Sequence, residues 1–344
     1  MGRAVRFNIQ TDVDNTGGTI SAGGLFQGKI GGTLTQGGTL AGNGEVQLDV
    51  NNLQNSGRIA SAGDVQILAG NLGNEGMIQG DLGVVLQAVS ASFSINSTIE
   101  IYYGPVDIGI ESALTNQGTI TTNQNIFLQI GGAFTNQGNI VAGNNLQIAA
   151  AGQIENRQLI SAGRDLLVSA ADSNGNLYQI INRGGSFLAG NDARFDTSYF
   201  TNTTSGGLAE DTGWHHVAVL YPYGTHVGKW QDVPSGYKDM LAFMLNYVRE
   251  RWFNGQASLV SAGHNLIINS AGRGINQASQ IVAGNTVTLT GIWTNQSEGR
   301  YYGQNWLEVF EAAKGKGIHS LDYNDRDRPG ASREAIKMMK PMSR

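Results

Sequence analysis

Apolar and polar residues alternate along short segments that recur through most of the chain. Leu146 and Ile148 alternate with polar neighbours in one such segment, and Val287 and Leu289 do so in another. A period of two residues is typical of a β-strand, because successive side chains of a strand point to opposite faces. The pattern therefore predicts a chain built mainly from short β-strands.

The alternating segments belong to a repeat of about 20 residues that is marked by an Ala-Gly step. The alanines of this step fall in three runs: Ala22, Ala41 and Ala62; Ala142 and Ala162; Ala262 and Ala283. A unit of this length cannot bury an apolar face alone, so successive units must stack. We expect each unit to place three short strands in one rung of a parallel β-helix, an all-β solenoid with inward Leu, Ile and Val.

A second signature, an apolar residue followed by Asn-x-Gly, lies upstream of the Ala-Gly step. Its glycines are expected to adopt positive φ in tight turns, at low steric cost. Its asparagines are expected to stack from rung to rung and to hydrogen-bond through their side chains. The small alanines are expected to close the corner inward. Eight positions are predicted to be structural turns: Asn55, Gly57, Asn74, Gly76, Asn116, Gly118, Asn136 and Gly138.

The repeat signature is missing at two places inside the chain. Residues 90–113 still alternate as strands do, and we expect an irregular rung or an extruded hairpin with Tyr102 and Tyr103 at its turn. Residues 197–256 form the larger break, and the polar segment 201–207 near its start is interpreted as a hinge. The predicted organisation is β-helix rungs over 1–196, an extruded insertion over 197–256, further rungs over 257–298, and a capping helix with a basic linker over 299–344.

The insertion contains the best helical pattern of the chain, over about 236–253. Ser235 is suited to cap this helix, apolar residues recur at three- and four-residue spacing, and Asn254-Gly255 is suited to end it. Upstream, residues 213–224 have the pattern of a strand and a turn. The insertion is therefore predicted to be an α/β segment.

Aromatic and histidine residues are concentrated in this insertion. One interpretation is that the helix and the aromatic side chains pack on the flank of the β-helix. The other is that outward aromatic side chains bind a receptor, because loops that leave a rigid scaffold often carry function and Trp and Tyr are favoured at interfaces. The candidate receptor-binding residues are Tyr102, Tyr103, Trp214, His215, His216, Tyr221, Tyr223, His226 and Trp230.

The repeat ends after Trp293, and the sequence beyond it becomes basic. An amphipathic pattern over 305–317 predicts a helix that caps the open end of the stack, where unpaired strand edges are an aggregation hazard. The residues after this helix are interpreted as a linker, with a separate basic binding module as the alternative.

The composition excludes several classes of protein. The 344 residues contain no cysteine, so a disulfide scaffold is excluded. No apolar run approaches the roughly 18 residues of a membrane-spanning helix. Charged residues are only 14% and the net charge is −5, which argues against a disordered chain and against nucleic-acid binding.

Motifs for catalysis or metal binding are weak. His215, His216 and His226 with Glu210 or Asp211 resemble part of a zinc site, but the sequence has neither HExxH nor paired cysteines. It also lacks GxSxG and a P-loop. We therefore expect no enzyme activity, no cofactor and no metal.

The chain resembles the haemagglutinin repeats of filamentous haemagglutinin-like exoproteins in the segments LTNQGTI (114–120), FTNQGNIVAGNNLQI (134–148) and IENRQLISAGRDLLVSA (154–170). These exoproteins are exported by two-partner secretion and include the CdiA-type proteins of contact-dependent growth inhibition. The resemblance covers roughly 12–196 and 257–296. It implies a right-handed β-helical shaft on a Gram-negative cell surface, with adhesion or target-cell binding rather than catalysis.

The same resemblance implies partners and a location. The partners are an outer-membrane transporter during secretion, and an outer-membrane protein or surface glycan of a target cell as receptor. The chain is expected to be a monomeric internal fragment of a protein secreted to the exterior of the bacterial outer membrane. Two alternatives stay open: a purely structural spacer shaft, and a polysaccharide-binding or polysaccharide-cleaving β-helix protein.

Overall fold

The computed structural model describes residues 3–211, 215–221 and 242–308, and these residues form strands and turns with no helix. None of them lies in a helix of the length and apolarity that membrane crossing would require. The chain divides into two compact units: Met1–Gly207 with Asn254–Gln296, and Leu208–Phe253 with Ser297–Arg344.

The first unit consists of parallel strands. In chain order they are β1 (Val5–Ile9), β2 (Val13–Asp14), β3 (Thr19–Ala22), β4 (Phe26–Gln36), β5 (Thr39–Gly42), β6 (Val46–Asn55), β7 (Arg58–Ser61), β8 (Asp64–Asn74), β9 (Met77–Gly80), β10 (Gly83–Phe93), β11 (Thr98–Ile101), β12 (Val106–Ile110), β13 (Leu114–Asn116), β14 (Thr119–Thr122), β15 (Ile126–Ile130), β16 (Phe134–Asn136), β17 (Asn139–Ala142), β18 (Leu146–Ala150), β19 (Ile154–Asn156), β20 (Leu159–Ala162), β21 (Leu166–Ala170), β22 (Gln179–Arg183), β23 (Ser186–Ala189), β24 (Ala193–Thr203), β28 (Leu259–Ala262), β29 (Asn265–Gln277), β30 (Gln280–Ala283) and β31 (Thr286–Gln296). An 11-stranded sheet contains β3, β5, β7, β9, β11, β14, β17, β20, β23, β28 and β30, and the other strands form a 17-stranded sheet.

Each rung stacks on the next through parallel pairing in register. In the smaller sheet Ile120 of β14 lies opposite Ile140 of β17, which lies opposite Ile160 of β20. Along β15 and β18, for example, buried side chains alternate with exposed or half-buried ones, as the period of two residues predicts. The first unit is therefore a parallel β-solenoid with 20 residues between equivalent positions of these rungs, and the predicted fold class is confirmed.

The core is a continuous column of apolar side chains inside the rungs. Val106, Ile126 and Leu146 occupy equivalent positions in successive rungs, and each is at most 1% exposed. Burial of such a side chain is worth about 1.5–3 kcal/mol. Stacking therefore supplies the stability that a single unit of the repeat lacks.

Residues 90–113 form a rung that pairs like its neighbours. Strand β11 pairs in parallel with β9 and β14, and β12 pairs in parallel with β10 and β15. The extruded hairpin is therefore the wrong alternative, and Tyr102 and Tyr103 lie at the corner between β11 and β12. The Ala-Gly step is missing from this rung. Ile101 rather than alanine fills the inward corner position, where it is 2% exposed.

The glycines of the Asn-x-Gly signature do not have positive φ, so that expectation is wrong. Among the described residues, the glycines with positive φ are Gly17, Gly175, Gly184, Gly207, Gly255 and Gly291. At Gly138 a Cβ atom would instead overlap the carbonyl oxygen of Gly118 in the preceding rung, and at Gly76 it would overlap that of Gly57. The close approach of neighbouring rungs, rather than an unusual backbone conformation, requires glycine at these positions.

The inward corner position is filled by alanine in several rungs, though not by Ala62. Ala142 and Ala162 occupy this position and are each 2% exposed. Ala62 is exposed, and Ser61 takes the inward position, where its hydroxyl donates to the carbonyl oxygen of Gly44 over 2.6 Å. The rungs are slightly shorter here, so the Ala-Gly step falls one residue beyond the corner.

The solenoid continues across the second break in the repeat. Strand β23 pairs with β28, and β24 pairs with β29, although a long segment separates them in sequence. The interpretation of 201–207 as a hinge is wrong, because its first three residues belong to β24 and both Asn202 and Thr204 are buried. The Asn202 Nδ2 donates to the Oδ1 of Asn276 over 2.8 Å, so this polar segment is held by the next rung.

The second unit contains a four-stranded sheet. Its strands are β25 (Gly207–Asp211), β26 (His215–Tyr221), β27 (Ala242–Asn254) and β32 (Gly299–Glu308). Strand β27 pairs antiparallel with both β26 and β32. Part of the predicted insertion and the beginning of the predicted C-terminal cap therefore belong to one sheet.

Two helix predictions are wrong where the structure describes them. Of the helix predicted over 236–253, residues 242–253 belong to β27, and 236–241 lie outside the described residues. In the capping helix predicted over 305–317, residues 305–308 belong to β32, and the others lie outside the described residues. Aromatic and β-branched residues are frequent in β27 and favour strands. Its partners come from distant parts of the chain, which local helical spacing cannot reveal.

Candidate functional site

Asparagine side chains form a hydrogen-bonded ladder through the interior of the solenoid. The Nδ2 of Asn116 donates to the Oδ1 of Asn136 over 2.8 Å, and Asn136 donates to Asn156 over 2.9 Å. All three residues are fully buried. An unpaired buried amide costs about 1–3 kcal/mol, so the ladder satisfies these groups and fixes the register of the rungs. Its members are Asn55 and Asn74, and then Asn116, Asn136, Asn156, Asn182, Asn202, Asn276 and Asn295.

Two oxygen atoms mark interruptions of this ladder. The Oδ1 of Asn116 has no donor, because Phe93 occupies the equivalent position in the preceding rung. The Oδ1 of Asn55 has none either, because Gln36 of the preceding rung directs its Nε2 to the carbonyl oxygen of Arg58 over 3.4 Å. The repeat predicts the stacked asparagines, and these hydrogen bonds show that they hold the rungs together.

A second ladder, which the sequence reasoning misses, lies at the corner before the third strand of the rung. The side-chain oxygen of Asn145 accepts from the backbone N–H of Asp165 over 3.3 Å, and Asp165 accepts from that of Asp192 over 3.2 Å. Asp192 accepts from the N–H of Asn265 over 2.9 Å, and this hydrogen bond is the main cause that lowers the pKa of Asp192. Its sequence signal is an Asn or Asp that recurs two residues after the corner glycine.

Tyr102 and Tyr103 project from the corner between β11 and β12. They are 41% and 75% exposed, and their ring centroids lie 6.4 Å apart. Neighbouring rungs fix the corner, since the Nδ2 of Asn123 donates to the Tyr102 carbonyl over 3.3 Å and the Tyr103 N–H donates to the Asp81 carbonyl over 3.0 Å. Leu82, which follows Asp81, is also exposed. We call Leu82, Tyr102 and Tyr103 the tyrosine corner.

The other candidate receptor-binding residues belong to the predicted insertion. Three of them lie in β26, whose backbone pairs with β27: His215, His216 and Tyr221. Four lie outside the described residues: Trp214, Tyr223, His226 and Trp230. Of the candidates, Tyr102 and Tyr103 are the two whose exposed side chains the structure describes, and receptor binding by all nine residues stays a prediction.

Charged side chains in the first unit form scattered pairs. Lys29 lies 3.3 Å from Asp49, and Arg194 lies 2.9 Å from Asp196. Exposed pairs of this kind contribute at most about 1 kcal/mol. Within the described ranges no three His, Asp or Glu side chains are arranged to hold a metal ion. His226 of the suggested zinc set lies outside those ranges.

The fold of the first unit defines a class of protein, a repetitive parallel β-solenoid that exposes apolar and aromatic side chains on its surface. The model of the haemagglutinin repeat family matches residues 4–76, 43–92, 103–163, 157–213 and 245–300, which together cover well over half of the chain. The chain belongs to the haemagglutinin repeat family, whose members are secreted, adhesin-like surface proteins. No curated protein and no solved structure matches the chain.

Proposed function

We propose that the chain is part of the shaft of a secreted bacterial surface adhesin and that it binds a receptor on another cell. Its membership in the haemagglutinin repeat family supports the role as a shaft. The tyrosine corner is the observation that supports binding, because two exposed aromatic side chains project from a backbone that is hydrogen-bonded to the rungs on both sides. Tyrosine supplies a large contact area at a low cost in conformational entropy.

The receptor in this proposal is an outer-membrane protein or a surface glycan of the target cell. Such a receptor fits adhesion, and it fits contact-dependent growth inhibition of the CdiA type. An outer-membrane transporter is the partner during two-partner secretion. His215, His216 and Tyr221 of β26 are proposed as a second contact, together with the aromatic residues between β26 and β27.

Binding of the labelled full chain to intact Gram-negative cells tests this proposal. We expect the double change Tyr102→Ala and Tyr103→Ala to weaken binding by roughly tenfold or more, as removal of interface anchors does. The melting temperature should stay the same, since both side chains are exposed. The matched control is Ile95→Ala, because Ile95 is 78% exposed at another turn. Equal binding by the two variants would remove the tyrosine corner from the site.

The second candidate function is a spacer shaft without a receptor. The asparagine ladder favours it, because side-chain hydrogen bonds that fix successive rungs from Asn116 onward serve rigidity rather than recognition. In that case neither the full chain nor its variants bind cells. If cell binding is lost only in Trp214→Ala, Tyr223→Ala or Trp230→Ala, the receptor contact lies in the second unit.

A further inference from the structure

A groove crosses the outer face of five successive strands, β8, β10, β12, β15 and β18, and it has a volume of about 880 Å³. It continues into a second depression of about 380 Å³, and the two share Leu68, Ala69 and Val89. The groove reaches the end of β12, whereas the tyrosine corner precedes the start of this strand. The two features are therefore separate.

Small and amide side chains alternate along the floor of the groove. Gln87, Gly109, Gln129 and Ala149 occupy equivalent positions in four successive rungs. Two apolar side chains at the junction of the two depressions, Leu68 and Val89, are 53% and 50% exposed, so the floor offers both apolar surface and hydrogen-bonding groups.

The loop between β21 and β22 closes one end of the groove. It adds Ala171, Asp172, Ser173 and Tyr178 to the lining. The Tyr178 hydroxyl donates to Asp172 over 3.1 Å, and the Asn176 Nδ2 donates to the same carboxylate over 2.8 Å. This end therefore holds a hydroxyl and a carboxylate in a fixed arrangement.

The charges along the groove disfavour an anionic ligand. Glu111 and Asp172 line the larger depression. Among the described residues that line either depression, the only cationic one is Lys29 of the smaller depression, and it lies 3.3 Å from Asp49. A polyanion would meet repulsion here, whereas a neutral ligand rich in hydroxyl groups would not.

The backbone of the floor has few groups to offer an extended peptide. Strand β12 pairs with β10 on one side and β15 on the other, so its N–H and C=O groups are used within the sheet. Peptide addition to a sheet needs a free edge. A hydroxyl-rich ligand needs only the side chains, which recur at the spacing of the rungs, about 4.8 Å.

We propose that this groove binds a neutral, extended oligosaccharide, with successive sugar residues lying across successive rungs. Six rungs contribute to the larger depression, which gives a length of roughly 24 Å at the rung spacing. The apolar faces of the sugars contact Leu68, Val89 and the small floor residues. Their hydroxyl groups hydrogen-bond with Gln87, Gln129 and the loop. The inference goes beyond the proposed receptor contact, since it needs neither tyrosine nor the second unit.

Two glycines provide a matched pair of variants. At Gly109 an added Cβ would meet nothing closer than the Gln87 Cγ at 3.9 Å, and at Gly73 nothing closer than the Leu53 carbonyl oxygen at 3.7 Å. Both glycines face outward between two buried residues of a strand. Gly109→Leu therefore fills the groove without disturbing the rungs, and Gly73→Leu makes the same change outside it.

Isothermal titration calorimetry of the full chain tests the inference with hexasaccharides and disaccharides of β-linked glucose, mannose and N-acetylglucosamine. We expect at least one hexasaccharide to bind with a Kd of about 1 mM or tighter, and the corresponding disaccharide roughly tenfold more weakly. Gly109→Leu should weaken binding by roughly tenfold or more, whereas Gly73→Leu should leave it unchanged. Gln129→Ala, which adds no bulk, should weaken binding severalfold.

Three results would each overturn the inference. The first is failure of all three hexasaccharides to bind. The second is an equal effect of Gly109→Leu and Gly73→Leu on binding. The third is binding of polygalacturonate or of a polylysine peptide in preference to the neutral sugars. None of these results depends on cell binding through the tyrosine corner, so the two proposals fail separately.

Discussion

Glycine has two separate roles in the rungs, and only one concerns backbone conformation. Gly207 has φ of 69° and an added Cβ would meet nothing closer than the Arg183 guanidinium at 4.0 Å, so a side chain there is strained but not blocked. Gly138 has an ordinary φ, but a side chain there would overlap the backbone of the preceding rung. The distance between rungs, rather than the turn, therefore sets the requirement at Gly138.

A pair of alanine substitutions distinguishes these environments. Gly138→Ala should destabilise the solenoid by about 1–3 kcal/mol or more, as overpacking does. Gly73→Ala should be neutral or stabilise by up to about 1 kcal/mol, because glycine inside a strand is entropically costly and the site has room. Urea unfolding of both variants measures the difference. Equal stability of the two variants would contradict the close approach of the rungs.

The asparagine ladder leads to a stabilising substitution. Gln36 lies opposite Asn55, whose Oδ1 lacks a donor. The Gln36 Oε1 accepts from the Asn15 Nδ2 over 2.8 Å, and an asparagine at position 36 would keep an acceptor for Asn15 while its Nδ2 donates to the Asn55 oxygen. Gln36→Asn should therefore stabilise the solenoid by about 1 kcal/mol, the net worth of a hydrogen bond. Thermal unfolding measures this gain, and a lower melting temperature than that of the parent chain would show that the ladder does not extend to this rung.

Single elements differ in how well their sequence predicts them. The rungs are predictable because inward residues such as Ile120, Ile140 and Ile160 repeat at a fixed interval, so pattern and pairing agree. Strand β27 is not predictable in this way, because it pairs with β26 and β32, which are distant in sequence. The groove is not visible in the sequence either, since Gln87 and Gly109 become neighbours only through the register of the rungs.

The loop between β21 and β22 should respond to acid. Hydrogen bonds from Asn176 are the main cause that lowers the pKa of Asp172 from 3.8. Because the folded pKa is below the unfolded one, ionised Asp172 stabilises the loop above pH 3.8, and this contribution is lost as the pH falls through the folded pKa. The amide resonances of Asn174 and Asn176, which both donate to Asp172, should titrate together below pH 3.8.

Asp172→Asn is the control for this titration. It keeps the size of the side chain and removes its ionisation, so the shared titration of the two amides should disappear. A midpoint above 3.8 in the parent chain would mean that the hydrogen bonds do not favour the ionised carboxylate.

At the scale of the whole molecule, the pairing of β23 with β28 and of β24 with β29 makes the first unit independent of the segment between them. The Gly206 N–H donates to the Asn254 carbonyl oxygen over 3.0 Å, so the chain leaves and re-enters the solenoid at neighbouring points. The repeat signature predicts that the chain leaves the solenoid about ten residues earlier than it does, because Tyr199 to Thr203 pair with β22 without carrying that signature.

This boundary leads to a test with two deletions of similar size. One variant lacks 208–253, with a short Gly/Ser linker in their place, and ends at Gln296. Its rungs should stay folded, with a far-UV circular dichroism spectrum dominated by strand, because no pairing within the solenoid is lost and closure entropy changes only slowly with loop length.

The second deletion variant lacks 198–255 and also ends at Gln296. It loses the half of β24 that pairs with β22 and with β29, and it loses Asn202, which links Asn182 to Asn276 in the ladder. Its rungs around this point should open, so its melting temperature should fall well below that of the first variant, and limited proteolysis should cut near Asn182. If both variants melt at the same temperature, residues 198–207 do not belong to the solenoid. The asparagine ladder then ends at Asn182 instead of continuing through Asn202 to Asn276.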